Sequence, residues 1–347
     1  WWDVGRINDW LSRFFPAGFY YKTFMWPAKA WKSLYEPMIR RAAGIGLAPT
    51  KPDPDRYAQR YAHCEVLVVG AGPAGLAAAL AAARTGARVM LCDEQAEFGG
   101  SLLAEVSARI EGLEPAEWIS RSLAELAANP KVTLLPRTTV FGYFPHNFLG
   151  LIERVSEHRE NPLPGQIRER LWQVRAARVI LATGAIERPL VFPGNDRPGV
   201  MLAGAARAYL NRYGVRAGSR AVLVTADDAA YQSALDLAAA GVAIAAIVDV
   251  RGQPGAPAPE GAVSGNEGMQ AARQAGIEIF EGGTVLGTQG ARRLRGVRIG
   301  QRDASGAVHF KRSVPCDLLM MSGGYTPSLH LFSQSRGRLT WSEDLQA

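Results

Sequence analysis

Cysteine is scarce, with only Cys64, Cys92 and Cys316 in 347 residues, far apart and never as C-x-x-C. That spacing excludes a redox-active dithiol and a zinc ribbon. Cys92 and Cys316 lie in or beside apolar runs and are expected to be small buried hydrophobes, a usage that implies a reducing, cytoplasmic compartment. No uninterrupted apolar run reaches the roughly 20 residues that span a bilayer, and no signal peptide is visible. An initiator methionine is missing and the end is abrupt, as expected of a middle portion of a longer polypeptide. Long blocks of one charge are absent too. The 39 Lys and Arg against 32 Asp and Glu give +7, with the arginines scattered. This distribution fits a solvated basic surface or an anionic ligand better than nucleic acid. His63, His146, His309 and His330 have no carboxylate or cysteine at ligand or triad spacing, so they read as surface or satisfied polar residues. No metal cluster or catalytic nucleophile is assigned.

What is present is a globular composition, 48% hydrophobic, in a chain long enough for two domains plus extensions. Its organising stretch is Val66 to Glu94. Val66 to Val69 predicts a strand buried on both faces, and the Ala/Leu-rich run Pro73 to Arg84 a tightly packed helix. Between them stands Gly70-Ala71-Gly72-Pro73-Ala74-Gly75. In such a G-x-G-x-x-G turn the first glycine permits the tight turn, and the second admits a pyrophosphate to the backbone. The third lets helix and strand pack closely. Phosphate then rests on the positive end of the helix. A second apolar strand, Val89 to Cys92, ends in Asp93 and Glu94, where a carboxylate can accept hydrogen bonds from an adenosine ribose. Asp93, directly after the strand, is preferred, with Glu94 second. Strand, glycines, helix, strand and acid in this order point to a dinucleotide site. FAD and NAD share the ADP half that the motif grips, so it does not choose between them.

Residues 1 to 62 carry Trp1, Trp2, Trp10, Trp26 and Trp31 with Phe14, Phe15, Phe19, Tyr20, Tyr21 and Phe24. An arm that packs over another surface is expected, since each ring buries roughly 150 to 250 Å². Membrane attachment is the rival reading, opposed by acids and prolines throughout. Lys51 to Asp55 reads as a linker. Past Asp93, Gly99-Gly100 is expected to bring the chain close to the ligand, followed by a helix Pro115 to Asn129 and a strand Val132 to Leu135. Thr138 to Val155 and Leu171 to Arg178 read as an antiparallel layer. Val179 to Gly184 reads as a buried strand ending in Ala-Thr-Gly beside the first site. Ala221 to Arg251 repeats strand, helix and strand, with Asp249 at its end, but Thr225, Asp227 and Ala230 stand where glycines belong. Asp227 and Asp228 would repel a pyrophosphate by about 1 kcal/mol per charge pair at 4 Å in water. Arg292 to Val314 reads as a meander turning at Asp303 to Gly306. Asp317 to Gly324 reads as a strand rejoining the first sheet.

The expected fold class is therefore α/β, with two Rossmann-like three-layer domains, the second inserted in the first, behind an aromatic N-terminal arm. The expected boundaries are 1–62 for the arm and linker, 63–195 with 315–347 for the first domain, and 196–314 for the second. This order resembles the two-dinucleotide-domain flavoproteins that include the disulfide reductases. More closely, ATGAIERPLVFPGNDRPGVMLAGAARAYLNRYGV, PAGFYYKTFMWP and DEQAEFGGSLL resemble the α subunits of heterotetrameric sarcosine oxidases. Cyanide synthase and opine-catabolising dehydrogenase share parts of the pattern.

The resemblance implies an oxidoreductase acting on CH–NH donors, assembled with β, γ and δ subunits. It implies sarcosine oxidised at FAD on the β subunit, FMN at the α/β interface, hydrogen peroxide from oxygen, and a one-carbon unit passed to tetrahydrofolate. NAD+ is implied on the α subunit, without redox turnover. Carried onto this chain, the cofactor residues are Gly70, Gly72, Pro73, Ala74, Gly75, Asp93, Glu94, Gln95, Gly100, Ser101, Thr183 and Gly184, with FAD the alternative ligand. The other reading is an FAD-dependent NAD(P)H oxidoreductase, disfavoured by the erased second fingerprint and the missing dithiol.

Overall fold

A computed structural model describes residues 24, 26–44, 46, 48–163, 165–252, 267–303 and 305–342. It divides into two compact units, Trp1–Pro54 and Asp55–Ala347. In the first, helical turns at Ala28–Ala30 and Trp31–Tyr35 lead into α1 (Glu36–Ala42). The Phe24 ring lies 5.3 Å from that of Tyr35, whereas Trp26 is 82% exposed. Trp1, Trp2, Trp10, Phe14, Phe15, Phe19, Tyr20 and Tyr21, and with them most of the expected arm, lie outside the described residues.

The second unit begins with β1 (Arg56–Val69), so the arm and linker do not extend to residue 62. The inward positions of its first half are only Ala58 and Ala62, too weak a mark to distinguish a strand from a linker. Next come α2 (Pro73–Arg84), β2 (Val89–Cys92), α3 (Pro115–Ala128), β3 (Val132–Leu135), β4 (Thr138–Phe144), β5 (Phe148–Arg154) and β6 (Ile167–Leu181). The strands form one sheet in the order β3-β2-β1-β6-β5-β4, parallel from β3 to β6 and antiparallel beyond. On one side, Leu76, Ala79 and Leu80 of α2 and Trp118 and Leu126 of α3 pack against Val68 and Leu91. Alanine on α2 lets its axis approach the sheet. A second core joins Leu67, Val69 and Met90 to Leu149 and Leu151 of β5 and Trp172 and Val174 of β6.

The expected strand Leu171 to Arg178 and the start of the expected strand Val179 to Gly184 are thus one continuous strand that ends at Leu181 and pairs with β1 along nearly its whole length. The end of β6 is not buried on both faces. Val179 and Leu181 lean on the core, while period-two alternation turns Ile180 outward, leaving it 36% exposed.

Farther along lie β7 (Ala185–Glu187), β8 (Val200–Leu202), α4 (Ala203–Tyr213), β9 (Arg220–Thr225), α5 (Ala229–Ala239), β10 (Ala243–Asp249), α6 (Glu267–Gln274) and β11 (Ile279–Glu281). Then come β12 (Gly283–Gln289), β13 (Gly296–Arg302), β14 (Val308–Pro315), β15 (Leu318–Ser322), β16 (Tyr325–Pro327) and α7 (His330–Gln334). A second parallel sheet runs β11-β10-β9-β15-β8. Its helix face joins Leu223, Ile247 and Met320 to Ala206, Tyr231, Leu237 and Ala272. On the opposite face, Val222, Val224 and Val248 meet Val285, Val297, Ile299 and Val314 of the antiparallel meander β12-β13-β14. The two Rossmann-like layered units of the expected α/β class are therefore present.

One expectation is corrected. β15 does not rejoin the first sheet; it pairs with β8 and β9 in the second. A run of five buried residues, Leu318 to Ser322, fits the centre of either parallel sheet, so its sequence carries no address. The return is made by β16, antiparallel to β7, and by α7, whose Leu331 enters the first half's core. Gln334 Oε1 accepts the Tyr143 amide at 2.7 Å. No helix among the described residues is long and apolar enough to cross a membrane. All three cysteines are buried and free. Burial pushes the Cys92 and Cys316 thiols up to about 12 and Cys64 to about 11, making them inert apolar fillers.

The halves of this unit are tied by Arg207 on α4. Its Nη1 and Nη2 donate to Glu105 at 3.0 and 2.9 Å, and its Nε donates to Asp236 on α5 at 2.6 Å. Burial works against the Glu105 charge, but hydrogen bonds from Arg207 and Ser107 outweigh it and hold the carboxyl down to about 2. Since this lies below the ordinary 4.5, the pair's contribution to stability is complete above about pH 4.5 and is lost as pH falls toward 2. Urea midpoints measured across that window should fall less steeply for Glu105→Gln than for the unsubstituted chain; equal slopes would refute this assignment.

Candidate functional site

β1 and β6 end side by side, and the turns that leave them face each other. The Ala182 amide donates to Val69 O at 2.7 Å, and Gly70 N donates to Cys92 O at 2.9 Å. A Cβ on Gly70 would lie 2.2 Å from Ala182 O, and one on Gly75 would lie 1.8 Å from Gly70 O. Neither position accepts a side chain. The Gly70-to-Gly75 turn is thus pressed against its neighbours below, while Gly72 is open above. A Cβ there would meet only Gly100 Cα, at 3.9 Å. Gly100, at φ +55°, would in turn place a Cβ 2.8 Å from Gly72 Cα. The Gly99-Gly100 segment therefore does approach the fingerprint turn, and Gly99 N donates to Ala71 O at 2.8 Å.

α2 begins at this opening with Gly72 as its N-cap and no side chain capping it. First-turn amides of a helix lack intrahelical partners, and together with the helix dipole they form an anion site. Asp93 lies across the turn. Its Oδ2 accepts from the Ala71 amide at 2.6 Å and its Oδ1 from the Gln95 amide at 2.8 Å. A carboxylate has about four acceptor sites, so lone pairs remain for ribose hydroxyls. Glu94 is exposed beside Asp93, and its carbonyl accepts from Arg154 at 2.5 Å.

These residues line a cavity of about 1110 Å³. Every candidate cofactor residue named from the sequence lines it except Gly75, which lies beneath the turn. Thr183 and Gly184 line it beside Gly70 and are joined to the returning chain. Thr183 Oγ1 donates to Ser328 O at 2.9 Å, and Ser328 N donates to Gly184 O at 3.0 Å.

Sequence reading did not assign to the site, among other lining residues, Thr138 to Phe141 on β4, Ile186, and Tyr325 with Pro327 to Phe332 and Gln334 on the returning segment. The one signal for the latter was the Gly323-Gly324 turn before it. His330, read as a surface or satisfied polar residue, is part of this lining. His309 is a surface residue, as read, and a satisfied one: Nε2 lies 2.7 Å from Asp303 Oδ2, a carboxylate partner across the meander turn that the sequence reading had not assigned.

The second Rossmann-like half repeats this topology, but its helix N-terminus is engaged by a side chain of the fold. Asp227 Oδ1 accepts the first-turn amide of Ala230 at 3.2 Å, and Asp227 Oδ2 accepts from Ser322 Oγ at 2.5 Å. Asp228 pairs with Arg251 at 2.7 Å. Asp249, at the place matching Asp93, is 1% exposed and accepts from Tyr231 Oη at 2.8 Å and Arg251 Nε at 3.0 Å. Its carboxylate is enclosed by the unit's own side chains. At the crossover, burial pushes the Glu187 carboxyl above its ordinary range, against hydrogen bonds from Ser322 and the Gly204 amide.

The sarcosine oxidase subunit alpha of Rhizobium meliloti (strain 1021) is 46% identical to this chain over 345 residues, which is 99% of the chain and 33% of that subunit. The chain is a homologue of the sarcosine oxidase α subunit. A second such α subunit, from Corynebacterium sp. (strain P-1), is 43% identical over 88% of the chain and 30% of its own length. The chain thus spans about a third of these α subunits. A family model described as FAD dependent oxidoreductase matches residues 65–142, which hold the fingerprint turn and Asp93. Among solved structures, the thioredoxin reductase of T. acidophilum has the same fold, with a TM-score of 0.57 at 16% identity over 81% of this chain and 83% of that one.

Asp227→Asn with Asp228→Asn should leave bound dinucleotide unchanged, because the second cleft is closed by its own side chains. Ligand released from the purified double variant checks this, and a marked rise or fall would show the cleft to be occupied.

Proposed function

We propose that this chain is the NAD+-binding portion of the α subunit of a sarcosine oxidase complex. The observation that carries the reading is the bare helix N-terminus above Gly72, facing Asp93 across a cavity lined by the candidate cofactor residues. Gly72, Ala74 and Gly100 would offer backbone to the pyrophosphate, Asp93 would hold the adenosine ribose, and Thr183 and Gly184 would border the distal ring. Bound NAD+ can accept a hydride, yet in this reading it is held without turnover. The amine site belongs to the β subunit and FMN to the α/β interface. With its β, γ and δ partners the complex would oxidatively demethylate sarcosine with O2, giving glycine, hydrogen peroxide and a one-carbon unit for tetrahydrofolate. Three buried thiols kept reduced fit a cytoplasmic setting.

FAD at the same site is the second reading, favoured by the FAD dependent oxidoreductase match over residues 65–142. In the NAD+ reading, Asp93 separates NAD+ from NADP. A 2′-phosphate would bring like charges within about 4 Å and cost at least about 1 kcal/mol, more where water is excluded.

Ligand released by denaturing the purified protein and identified by mass decides the cofactor, NAD+ being expected and stoichiometric FAD overturning that choice. Asp93→Asn should weaken NAD+ modestly and narrow its advantage over NADP. Gly72→Val should abolish binding of either dinucleotide, since a side chain there stands in the pyrophosphate's path.

A further inference from the structure

We infer that Arg207 is a positioning residue for the dinucleotide cavity, and that the second, self-filled unit serves as a buttress for the loop that completes the first. This inference rests on the dinucleotide reading above. Gly100 packs its backbone on Gly72 at the mouth of the anion site, and Ser101 lines the same cavity. From Gly100 to Ala104 the chain makes a single short 3-10 turn. Both its end and the residue after it are gripped from α4. Asn211 Nδ2 donates to Ala104 O at 2.9 Å, and Arg207 donates two hydrogen bonds to the Glu105 carboxylate.

The grip is anchored in turn. Arg207 Nε and Asn211 Nδ2 both donate to Asp236 Oδ2, at 2.6 and 2.8 Å, while Gln232 holds the other oxygen at 2.7 Å. Arg207, Glu105 and Asp236 are 16%, 19% and 8% exposed, so the pairs are poorly screened by solvent. A guanidinium fork bound on two sides fixes direction as well as distance, which an ammonium does not. Displacement of α4 therefore reaches Gly100 through five residues. General adhesion between the halves would involve the same contacts, but it would not single out the turn beside the phosphate position.

The test uses the full chain with Arg207→Met, which keeps the aliphatic stem, Arg207→Lys, which keeps only the charge, and Arg312→Met as a control. Arg312 pairs with Glu278 on the surface of the second half, far along the chain from the cavity loop. NAD+ and FAD are each titrated, and amide hydrogen exchange is read without ligand. Arg207→Met should bind the dinucleotide about tenfold more weakly, within the usual range of site-to-site coupling. Arg207→Lys should be intermediate and Arg312→Met unchanged. Amides from Ser101 to Glu105 should exchange faster in Arg207→Met while β9 and β10 keep their protection. Unchanged affinity and exchange in a folded Arg207→Met protein would overturn the inference, as would protection lost evenly through both halves. If the unsubstituted chain takes up neither dinucleotide, the cofactor reading fails by itself, and the exchange of residues 101–105 still decides the buttress. Should Arg207→Met not fold, Asn211→Ala removes the Ala104 anchor without unpairing a charge and should show the same local loss of protection; its absence there overturns the proposal.

Discussion

The site depends on one unsatisfied demand, the first-turn amides of α2, which have no helical partner and no side-chain cap. Around that demand the glycines play opposite parts. Gly70 and Gly75 let backbone and helix close below the turn, and Gly72 with Gly100 leaves it open above. Asp93 then stands ready across the opening, already fixed by the Ala71 and Gln95 amides. Its orientation is thereby set by the backbone of the turn itself.

The second unit answers the same demand internally. Asp227 supplies the negative charge that a phosphate would bring, and Tyr231 with Arg251 engages the terminal acid of β10. Two copies of one topology thus differ in whether the helix terminus is left open or engaged from within. Folding alone favours the latter, since no buried polar group waits for a ligand.

Elements with strong local period were legible in the sequence. α2, β2 and β3 have the bounds that pattern indicated, because glycine and proline mark their ends and apolar runs fill their centres. The first half of β1 was not, since alternation carried by Ala58 and Ala62 resembles a linker. The address of β15 was not legible either, because pairing partners are chosen by tertiary packing and either parallel sheet accepts a run such as Leu318 to Ser322. At the site, backbone-driven roles at Gly70, Gly72 and Gly75 could be read from spacing. The contribution of α7 could not, as only the fold carries His330 and Leu331 back across the chain to the cavity.

The pairing of β7 with β16 has a further consequence. Ala185, where the chain leaves the first half, lies opposite Pro327, where it returns, and Glu187 lies opposite Tyr325. Exit and return are adjacent ends of one narrow ribbon, so everything between residues 188 and 324 is a cassette. A tight hairpin joining Glu187 to Tyr325 would close the gap without disturbing any hydrogen bond of the six-stranded sheet. Genetic gain, loss or exchange of the inner unit is therefore topologically simple, since the outer unit would keep its architecture.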